Sequence, residues 1–425
     1  MSYLRGLACI RCGASFPVEP RFDGCPRCRS VAPSNLTPRY DLAEIKRTFR
    51  LEALHDRPPN MWRYHELLPP EPHEVSSLGE GMTPLIRCRK WGTELGVPRL
   101  YLKDESRNPT GSFKDRLAVT ALAMASRFRA RTVGVSSTGN AGAAAAAYAA
   151  RKQLPCVILT VRGAASAMVA QIRAYGAMVV AVEKKSDRWT LLQAGVEHWA
   201  WYPTSPFFGP PIGSNPYGVD GYKTIAYEIC EQLDWQAPNW CVLPVAYGDA
   251  LFGIWKGFDE LATLGLIQRR PRMVAAEMAG SLGAAMRAGG DLPPEMAMPT
   301  PSVAASISVG QSTYQALFAL RASRGLARTA AGSELLELQA ALAAREGIYA
   351  EPSSLAAMAV VGGLWAEREI QEEDVVVVVI TASGLKDPDA TASLTKDIPL
   401  VSGDVETLLV LLEQTYGYSV EGGPH

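Results

Sequence analysis

The sequence lacks a long uninterrupted apolar segment. Even the valine-rich run Val375–Ile380 is far too short to cross a bilayer. The N-terminal residues contain no apolar stretch followed by a small-residue cleavage site, so they do not resemble a secretory signal. From these absences we expect a cytoplasmic protein without membrane contact.

An excess of charge of one sign is also missing. The chain has 425 residues and a formal net charge of -1 at pH 7, and no block of lysine and arginine is long enough to form a nucleic-acid or membrane surface. Hydrophobic residues make up 48% and charged residues 20%, as in soluble globular proteins with a large core. We expect two to three domains from the length. Local charge could still attract a small-molecule anionic substrate.

Cysteine is scarce, and half of the eight cysteines are grouped near the N-terminus. Cys9 and Cys12 form one Cys-x-x-Cys pair, Cys25 and Cys28 form another, and twelve residues lie between the pairs. Four thiolates so spaced can surround a tetrahedral Zn²⁺, and a closed four-thiolate site is structural because no position is left for substrate. We predict a zinc-ribbon-like extension; two disulfides or two redox pairs are the alternatives.

From Leu100 onward, strand and helix patterns alternate. The pattern predicts a helix at Asn140–Arg151 and a strand at Cys156–Val161, and the valine-rich segment Asp374–Thr381 is typical of a central strand covered on both faces. Such alternation predicts an α/β fold with parallel sheets, in which ligands bind at the carboxyl ends of strands. The irregular interval Trp199–Val219 predicts a return between two sheets.

Lys114 has the most informative setting of any residue. It follows a turn signal, Asn108–Gly111, and precedes an Ala- and Leu-rich helical run. Ser112 and Asp115 have the spacing of a capping box, which predicts that Lys114 lies in the first helical turn. There the helix dipole lowers the pKa of the amine and favours nucleophilic or basic chemistry. An ordinary surface lysine is the alternative interpretation.

Three loops at predicted strand ends carry polar residues that suit a bound ligand. Ser136–Gly142 and Ala246–Gly253 each lead from a strand into a helix, where N–H groups can bind an anion. The third, Thr381–Asp387, offers hydroxyls after the valine-rich strand. Taken singly, the first two could be simple helix caps.

Together with Lys114, these loops resemble the threonine synthase branch of the fold-type-II pyridoxal-phosphate (PLP) enzymes, the tryptophan synthase β superfamily. The resemblance extends from about Asn60 to Pro388. The supporting segments are Trp62–Pro69, Ser77–Pro84, Gly221–Glu228 and Glu351–Ser353. It implies two parallel-sheet α/β domains, a homodimer, and a large domain of residues 35–112 and 221–425 with a small domain of 113–220, after a ribbon at 1–34.

The resemblance also implies a role for each loop. Lys114 would hold PLP covalently and, once freed, act as general base at the substrate Cα. Asn140 would hydrogen-bond the cofactor's ring oxygen. Thr381 would face the pyridine nitrogen, where a neutral hydroxyl favours elimination and replacement over transamination. The remaining cofactor-binding residues would be Phe113, Ala246, Tyr247, Gly248, Asp249 and Ala250, and the substrate-binding residues would be Ser137, Thr138, Gly139 and Asn140.

The sequence departs from the family where threonine synthases hold the phosphate of their substrate, O-phosphohomoserine. Tyr217 and Gly218 follow the Asn-Pro pair where the family has an arginine at the second position, and Ile212 and Ala141 replace an asparagine and a threonine. Arg116, Lys223 or another cation would have to substitute. We also expect Asp249 to turn away from the cofactor phosphate and to cap its helix.

The activity that the resemblance implies is PLP-dependent elimination or replacement on an amino acid, with threonine formation from O-phosphohomoserine as one candidate. A serine/threonine ammonia-lyase or a β-replacement synthase in the same fold is an alternative. A binding protein that keeps the scaffold without activity is another.

Overall fold

The structure is a computed structural model that describes residues 3–298, 302–392 and 398–418. By their contacts, one compact unit extends to Pro388, and the residues from Asp389 onward form a second. The described part of the second unit contains the helix Val405–Tyr416, whose N-cap residue Asp404 accepts a hydrogen bond from the Thr407 N–H at 2.8 Å. The first unit contains all of the sheets.

The elements are numbered in chain order. The strands are β1 (Leu4–Cys9), β2 (Ser15–Phe16), β3 (Leu36–Tyr40), β4 (Leu85–Arg87), β5 (Leu100–Asp104), β6 (Val133–Ser136), β7 (Cys156–Val161), β8 (Met178–Val182), β9 (Tyr202–Pro203), β10 (Trp240–Pro244), β11 (Arg272–Glu277), β12 (Leu326–Thr329) and β13 (Val376–Ile380). The α-helices are α1 (Leu42–Thr48), α2 (Lys90–Glu94), α3 (Lys114–Arg127), α4 (Asn140–Arg151), α5 (Ser166–Ala174), α6 (Asp187–Trp199), α7 (Pro216–Val219), α8 (Lys223–Gln232), α9 (Asp249–Leu264), α10 (Ser281–Ala288), α11 (Tyr314–Ala322), α12 (Leu335–Glu346), α13 (Pro352–Ala366), α14 (Pro388–Ala392) and α15 (Val405–Tyr416). Short 3₁₀ turns occur at Glu52–Asp56, Met61–Leu67, Pro72–Glu74, Glu105–Arg107, Asp220–Tyr222, Ala305–Ile307, Gly332–Glu334 and Gly384–Lys386.

A six-stranded sheet has the order β12-β11-β10-β13-β5-β4, and only the edge strand β4 runs antiparallel to its neighbour. The central strand β13 alternates its side chains between two cores. Val377 and Val379 pack on the side of α8, α9 and α11, whereas Val378 and Ile380 pack on the side of α12 and α13. The valine-rich strand is therefore buried on both faces, as its composition predicts.

A four-stranded parallel sheet has the order β8-β7-β6-β9. Val135 and Ile158 pack against the alanine-rich helix α4 on one face, and Leu159 packs with Leu192 and Phe207 on the other. The predicted α/β class with two parallel-sheet layers is confirmed. The helix Asn140–Arg151 and the strand Cys156–Val161 have the predicted bounds. The domain boundaries proposed from the sequence stay a prediction.

Two of the segments that connect sheets contain short helices. The helix α1 ends at Thr48 because Phe49 is extended, with ψ 133°, and buries its ring in the core. A separate 3₁₀ turn then follows. The interval Trp199–Val219 leads from one sheet to the other, as predicted: it contains β9 at the edge of the four-stranded sheet and the short helix α7, and the next strand, β10, belongs to the six-stranded sheet.

A third, antiparallel sheet has the order β2-β1-β3. Cys9 ends β1, Cys12 lies in the turn after it, and Cys25 and Cys28 lie between β2 and β3. Their sulfur atoms lie within 4.8 Å of one another, and none is in a disulfide. The Cys9–Cys28 and Cys12–Cys25 sulfur pairs are 3.7 and 3.8 Å apart. These separations equal the edge of a tetrahedron with Zn–S bonds of about 2.3 Å, which is about 3.8 Å. The disulfide alternative is therefore not formed.

Candidate active site

A cavity of about 600 Å³ opens at the carboxyl ends of strands from both parallel sheets. It is lined by the loop after β6, the loop after β10, Thr381 after β13, and the start of α3. Every site residue predicted from the loops lines this cavity: Phe113, Lys114, Ser137, Thr138, Gly139, Asn140, Ala246, Tyr247, Gly248, Asp249, Ala250 and Thr381. The structure thus brings together residues that are up to 268 positions apart, counted from 113 to 381.

Lys114 is the first residue of α3. Its Nζ lies 4.8 Å from the centroid of the Phe113 ring and 5.7 Å from that of Tyr222. No hydrogen bond or ion pair to its amine occurs among the described residues. Burial lowers the pKa of Lys114 from its ordinary value, and the nearby charges of Asp249 and Glu351 oppose that shift. The direction agrees with the prediction, but burial rather than the helix dipole is its main cause.

The predicted capping box before Lys114 is not formed. Phe113 is the N-cap residue, and the Ser112 hydroxyl is buried without a hydrogen-bond partner among the described residues. Asp115 instead accepts hydrogen bonds from the backbone N–H of Thr110, at 2.7 Å, and from its hydroxyl. The carboxylate therefore fixes the preceding turn, because Thr110 offers it two donors at once. Burial raises the pKa of Asp115 to about 7.

The loop after β6 is ordered by Ser137, whose Oγ accepts hydrogen bonds from the N–H groups of Gly139 and Gly142. Asn140 donates from Nδ2 to a Glu351 carboxylate oxygen at 2.6 Å. Its Oδ1 is buried without a partner in the described chain. Burial raises the pKa of Glu351 even though Ser306 and Asn140 donate hydrogen bonds to it. Asn140 therefore keeps unused hydrogen-bonding capacity inside the cavity.

The loop after β10 leads directly into the long helix α9. Gly248 adopts a left-handed φ of +88°, and an added Cβ would lie 2.2 Å from the Cβ of Ala316, so only glycine fits. The first N–H groups of α9 have no acceptors within the helix, and a helix start of this kind can bind an anion. Asp249 is held by Ser214, whose N–H and hydroxyl donate at 2.9 and 2.6 Å, and by Gln315. It does not cap α9, which corrects our expectation.

Thr381 connects the two parts of the site that come from β13 and α3. Its carbonyl accepts a hydrogen bond from the Phe113 N–H at 2.9 Å. Its hydroxyl lies 2.9 Å from that of Ser354 on α13. The residue beside Lys114 is thereby tied to the end of the central strand.

Comparison with known proteins decides the family. A family model described as "Pyridoxal-phosphate dependent enzyme" matches residues 76–382. The chain belongs to this family. Threonine synthase of Methanocaldococcus jannaschii is 34% identical over 412 residues, covering 96% of this chain and 99% of that protein. Threonine synthase of Methanosarcina acetivorans is 33% identical over 407 residues, covering 95% and 97%.

Solved structures of the same fold are more distant in sequence. Threonine deaminase isoform 2 from Solanum lycopersicum matches with a TM-score of 0.61 at 20% identity, covering 74% of this chain and 84% of that one. Maize serine racemase matches with a TM-score of 0.60 at 19% identity, covering 73% and 91%. These likenesses show the PLP fold type II. With its full-length relatives, the chain is a threonine synthase-like PLP enzyme of the elimination and replacement class.

The cavity fits the cofactor of this PLP family. A buried amine without a partner, an asparagine with an unused oxygen and a glycine-initiated helix N-terminus line one space. Roles within the site, including that of Lys114, stay predictions. No helix of the described residues is long and apolar enough to span a membrane.

The sequence suggested two cations, Arg116 and Lys223, as substitutes for the arginine with which threonine synthases hold the substrate phosphate. Both form ion pairs elsewhere in the protein. Arg116 forms buried ion pairs with Glu105 and Glu228. Lys223 forms buried ion pairs with Asp220 and Glu260. Neither residue lines the cavity.

Sequence reasoning missed a second group of cavity residues. Lys185, Arg188 and Trp189 come from the start of α6 and the turn before it, and α6 was not among the predicted helices. The segment 302–309 also lines the cavity and adds hydroxyls to it. Neither segment has a motif, and no periodic pattern indicates that they face the ends of the strands.

Proposed function

We propose that this enzyme binds PLP in the cavity and converts O-phosphohomoserine and water into threonine and inorganic phosphate. One observation carries the proposal: the unpaired, buried amine of Lys114 shares a cavity with the glycine-initiated N-terminus of α9. A protein that holds PLP needs an amine for the cofactor's aldehyde and a binding position for its phosphate, such as a helix N-terminus. The full-length threonine synthase relatives support the choice of substrate.

The proposed roles follow from the chemistry of the lining residues. PLP, when bound, supplies an electron sink for the amino acid. Lys114 would hold the cofactor covalently and would then move a proton at the substrate Cα, since a depressed pKa leaves more of the amine in its basic form. The first N–H groups of α9 would bind the cofactor phosphate, and Thr381 would lie against the ring nitrogen.

The residues of the loop after β6 would orient the substrate. The N–H groups of Asn140 and Ala141 belong to the first turn of α4, where an α-helix leaves donors without internal acceptors. These donors suit the substrate carboxylate. Ser137 holds the loop in shape, Thr138 and Gly139 border the same space, and Asn140 would hydrogen-bond the ring oxygen of the cofactor.

Replacing Lys114 by alanine tests this function. We expect Lys114→Ala to lose the yellow absorbance of the purified protein and to release phosphate from O-phosphohomoserine at least about 1,000-fold more slowly, because the covalent hold and the proton carrier are lost together. Lys184→Ala, at an exposed position near the cavity, is the matched control and should keep both properties. A yellow, active Lys114→Ala protein would contradict the proposal.

The product assay separates the candidate reactions. Threonine and phosphate should appear together from O-phosphohomoserine. Ammonia and a 2-oxo acid from serine or threonine, without phosphate release, would indicate the ammonia-lyase alternative instead. A colourless wild-type protein after incubation with PLP would favour the inactive binding protein.

We also propose a structural zinc ion held by Cys9, Cys12, Cys25 and Cys28. The sulfur separations of 3.7 and 3.8 Å support four-thiolate coordination. The double variant Cys9→Ser with Cys12→Ser should lose about one zinc per chain and melt at a lower temperature. Ser replacement of the buried, isolated Cys156 should keep the metal. Wild-type protein without zinc by metal analysis would end this proposal.

A homodimer is a further proposal, based on the family resemblance. Light scattering on the purified holoenzyme measures it directly, and a monomer at micromolar concentration would refute it. The cytoplasmic location stays a prediction.

A further inference from the structure

Arg188 is a buried cation without a protein counter-charge. Only 7% of the residue is exposed, and it lines the cavity. Its Nε donates to the carbonyl of Lys185 at 3.2 Å, and no carboxylate lies within ion-pair distance of it among the described residues. A buried charge without a partner destabilises a protein unless something else compensates it. The terminal guanidinium nitrogens therefore remain available to bind an anionic ligand.

A second cation lines the same part of the cavity. The Nζ of Lys185 donates to the carbonyl of Ser308 at 3.1 Å, which uses one of its three protons. Burial lowers the pKa of Arg188, and partial desolvation lowers that of Lys185, although the Lys185 residue as a whole is exposed. Trp189, next to Arg188, packs against Tyr247 of the loop after β10, with ring centroids 6.0 Å apart. Arg188 and Lys185 thus lie beside the loop proposed to bind the cofactor phosphate.

The family's usual position for a substrate-binding arginine is closed in this chain. At Gly218, an added Cβ would lie 3.0 Å from the Leu117 carbonyl and from the Ala121 Cβ, so a large side chain has no room. Tyr217 is buried, and its hydroxyl donates to the Glu19 carbonyl at 2.8 Å. An anionic substrate group must therefore find its cation elsewhere.

We propose that Arg188 and Lys185 bind the anionic group at the side-chain end of the substrate, which is the phosphate in O-phosphohomoserine. The inference rests on the proposed function for its choice of substrate. Arginine can bind two phosphate oxygens with its planar fork, and lysine adds a point charge. Two carboxylates line the cavity, those of Asp249 and Asp387. Asp249 is held by Ser214 and Gln315, and Asp387 forms no ion pair among the described residues. Neither carboxylate therefore neutralises Arg188 or Lys185.

The test uses PLP-loaded protein and inorganic phosphate as the probe. Because the cofactor phosphate already occupies its own position, calorimetric titration measures a second anion site. We expect Arg188→Gln to weaken phosphate binding about 30-fold and Lys185→Gln about 5-fold. Arg188→Lys keeps the charge but loses the fork, and should fall between Arg188→Gln and wild type. Lys184→Gln is the matched control, at an exposed position, and should bind phosphate as wild type does.

Kinetics with O-phosphohomoserine provide a second readout. The KM for this substrate should rise in Arg188→Gln by a factor similar to the loss of phosphate affinity. Unchanged phosphate binding in Arg188→Gln, or a wild-type protein that binds no second phosphate, would overturn the inference. A selective loss of PLP affinity in Arg188→Gln would overturn it too, since the cations would then serve the cofactor.

Failure of the proposed function gives a different result. In that case wild-type protein binds the second phosphate through Arg188, yet forms no threonine from O-phosphohomoserine. The anion site would stand, and the substrate would be another amino acid with an anionic side chain.

Discussion

Two buried arginines, Arg116 on α3 and Arg188 on α6, have opposite surroundings. Arg116 is fully buried, and its guanidinium is bound by both carboxylate oxygens of Glu105 and of Glu228. Lys103 adds a further ion pair to Glu228 at 2.7 Å. Although burial alone disfavours its charge, the two carboxylates raise the pKa of Arg116 above its ordinary value.

Arg188 and Lys114 have no such carboxylates within ion-pair distance in the described residues. Burial accordingly lowers the pKa of each of them. By this difference we assign Arg116 to the scaffold and propose Arg188 and Lys114 as residues of the site. A cation whose donors are all used inside the protein cannot bind a ligand, whereas an unpaired one in a cavity gains stability when an anion or a reactive carbonyl arrives.

The largest test of this comparison removes the paired arginine. Arg116→Met should lower the free energy of unfolding by about 3–5 kcal/mol, because Glu105 would remain buried without a counter-charge and Glu228 would keep only its ion pair with Lys103. Urea denaturation of the cofactor-free protein measures the change, with Arg131→Met, at an exposed position, as control. A loss below about 1 kcal/mol would show that water reaches the two carboxylates.

Lys386 is an intermediate case that sharpens the comparison. Its Nζ donates to the neutral Gln171 at 2.6 Å, and burial lowers its pKa from 10.5 to about 8 despite the charges of Asp115 and Glu351. Between those two values the unfolded chain binds more protons than the folded one, so stability rises with pH in that window. Below pH 8 the Lys386 amine is charged in the folded protein, and the cost of burying this charge lowers the free energy of unfolding.

Lys386→Met should therefore flatten the pH dependence of stability between pH 8 and about 10.5, by up to about 3 kcal/mol. Denaturation midpoints at several pH values measure this, and Lys184→Met is the control. Parallel pH profiles for wild type and Lys386→Met would mean that the amine is solvated in the folded protein.

The smallest effect is expected at the unpaired arginine. Arg188→Met should change the free energy of unfolding by less than about 1 kcal/mol, with stabilisation the favoured direction, because no carboxylate is left unpaired and an apolar side chain replaces a buried charge. The measurement is the one used for Arg116→Met, which makes the two substitutions a matched pair. A loss comparable with that of Arg116→Met would place Arg188 in the scaffold.

The sequence predicted the parts of the site that depend on local patterns. Strand ends are visible from hydrophobic runs, and the polar loops that follow them must meet at one edge of a parallel sheet. Lys114 and the loops after β6, β10 and β13 were therefore found in advance, and they line one cavity. The helix Asn140–Arg151 has its predicted bounds because alanine favours helix throughout it.

The remainder depended on contacts between distant segments. The capping box at Ser112 and Asp115 fits the spacing rule, but the carboxylate found two donors on Thr110 instead. Arg188 faces the cavity because of how α6 packs on the four-stranded sheet, through Leu192 among others. No local pattern separates such an arginine from an ordinary surface residue.

Asn35 lies between Cys28 and the start of β3. Its Nδ2 donates to the Ser214 carbonyl at 2.9 Å and to Gln315 at 3.4 Å. Ser214 and Gln315 are the residues that hold Asp249 at the start of α9. With the proposed zinc at the four thiols and the proposed PLP at α9, the metal content of a preparation should be reflected in how much vitamin B6 it retains. Cells grown in medium depleted of zinc would then yield paler protein, although every residue proposed to contact the coenzyme is unchanged.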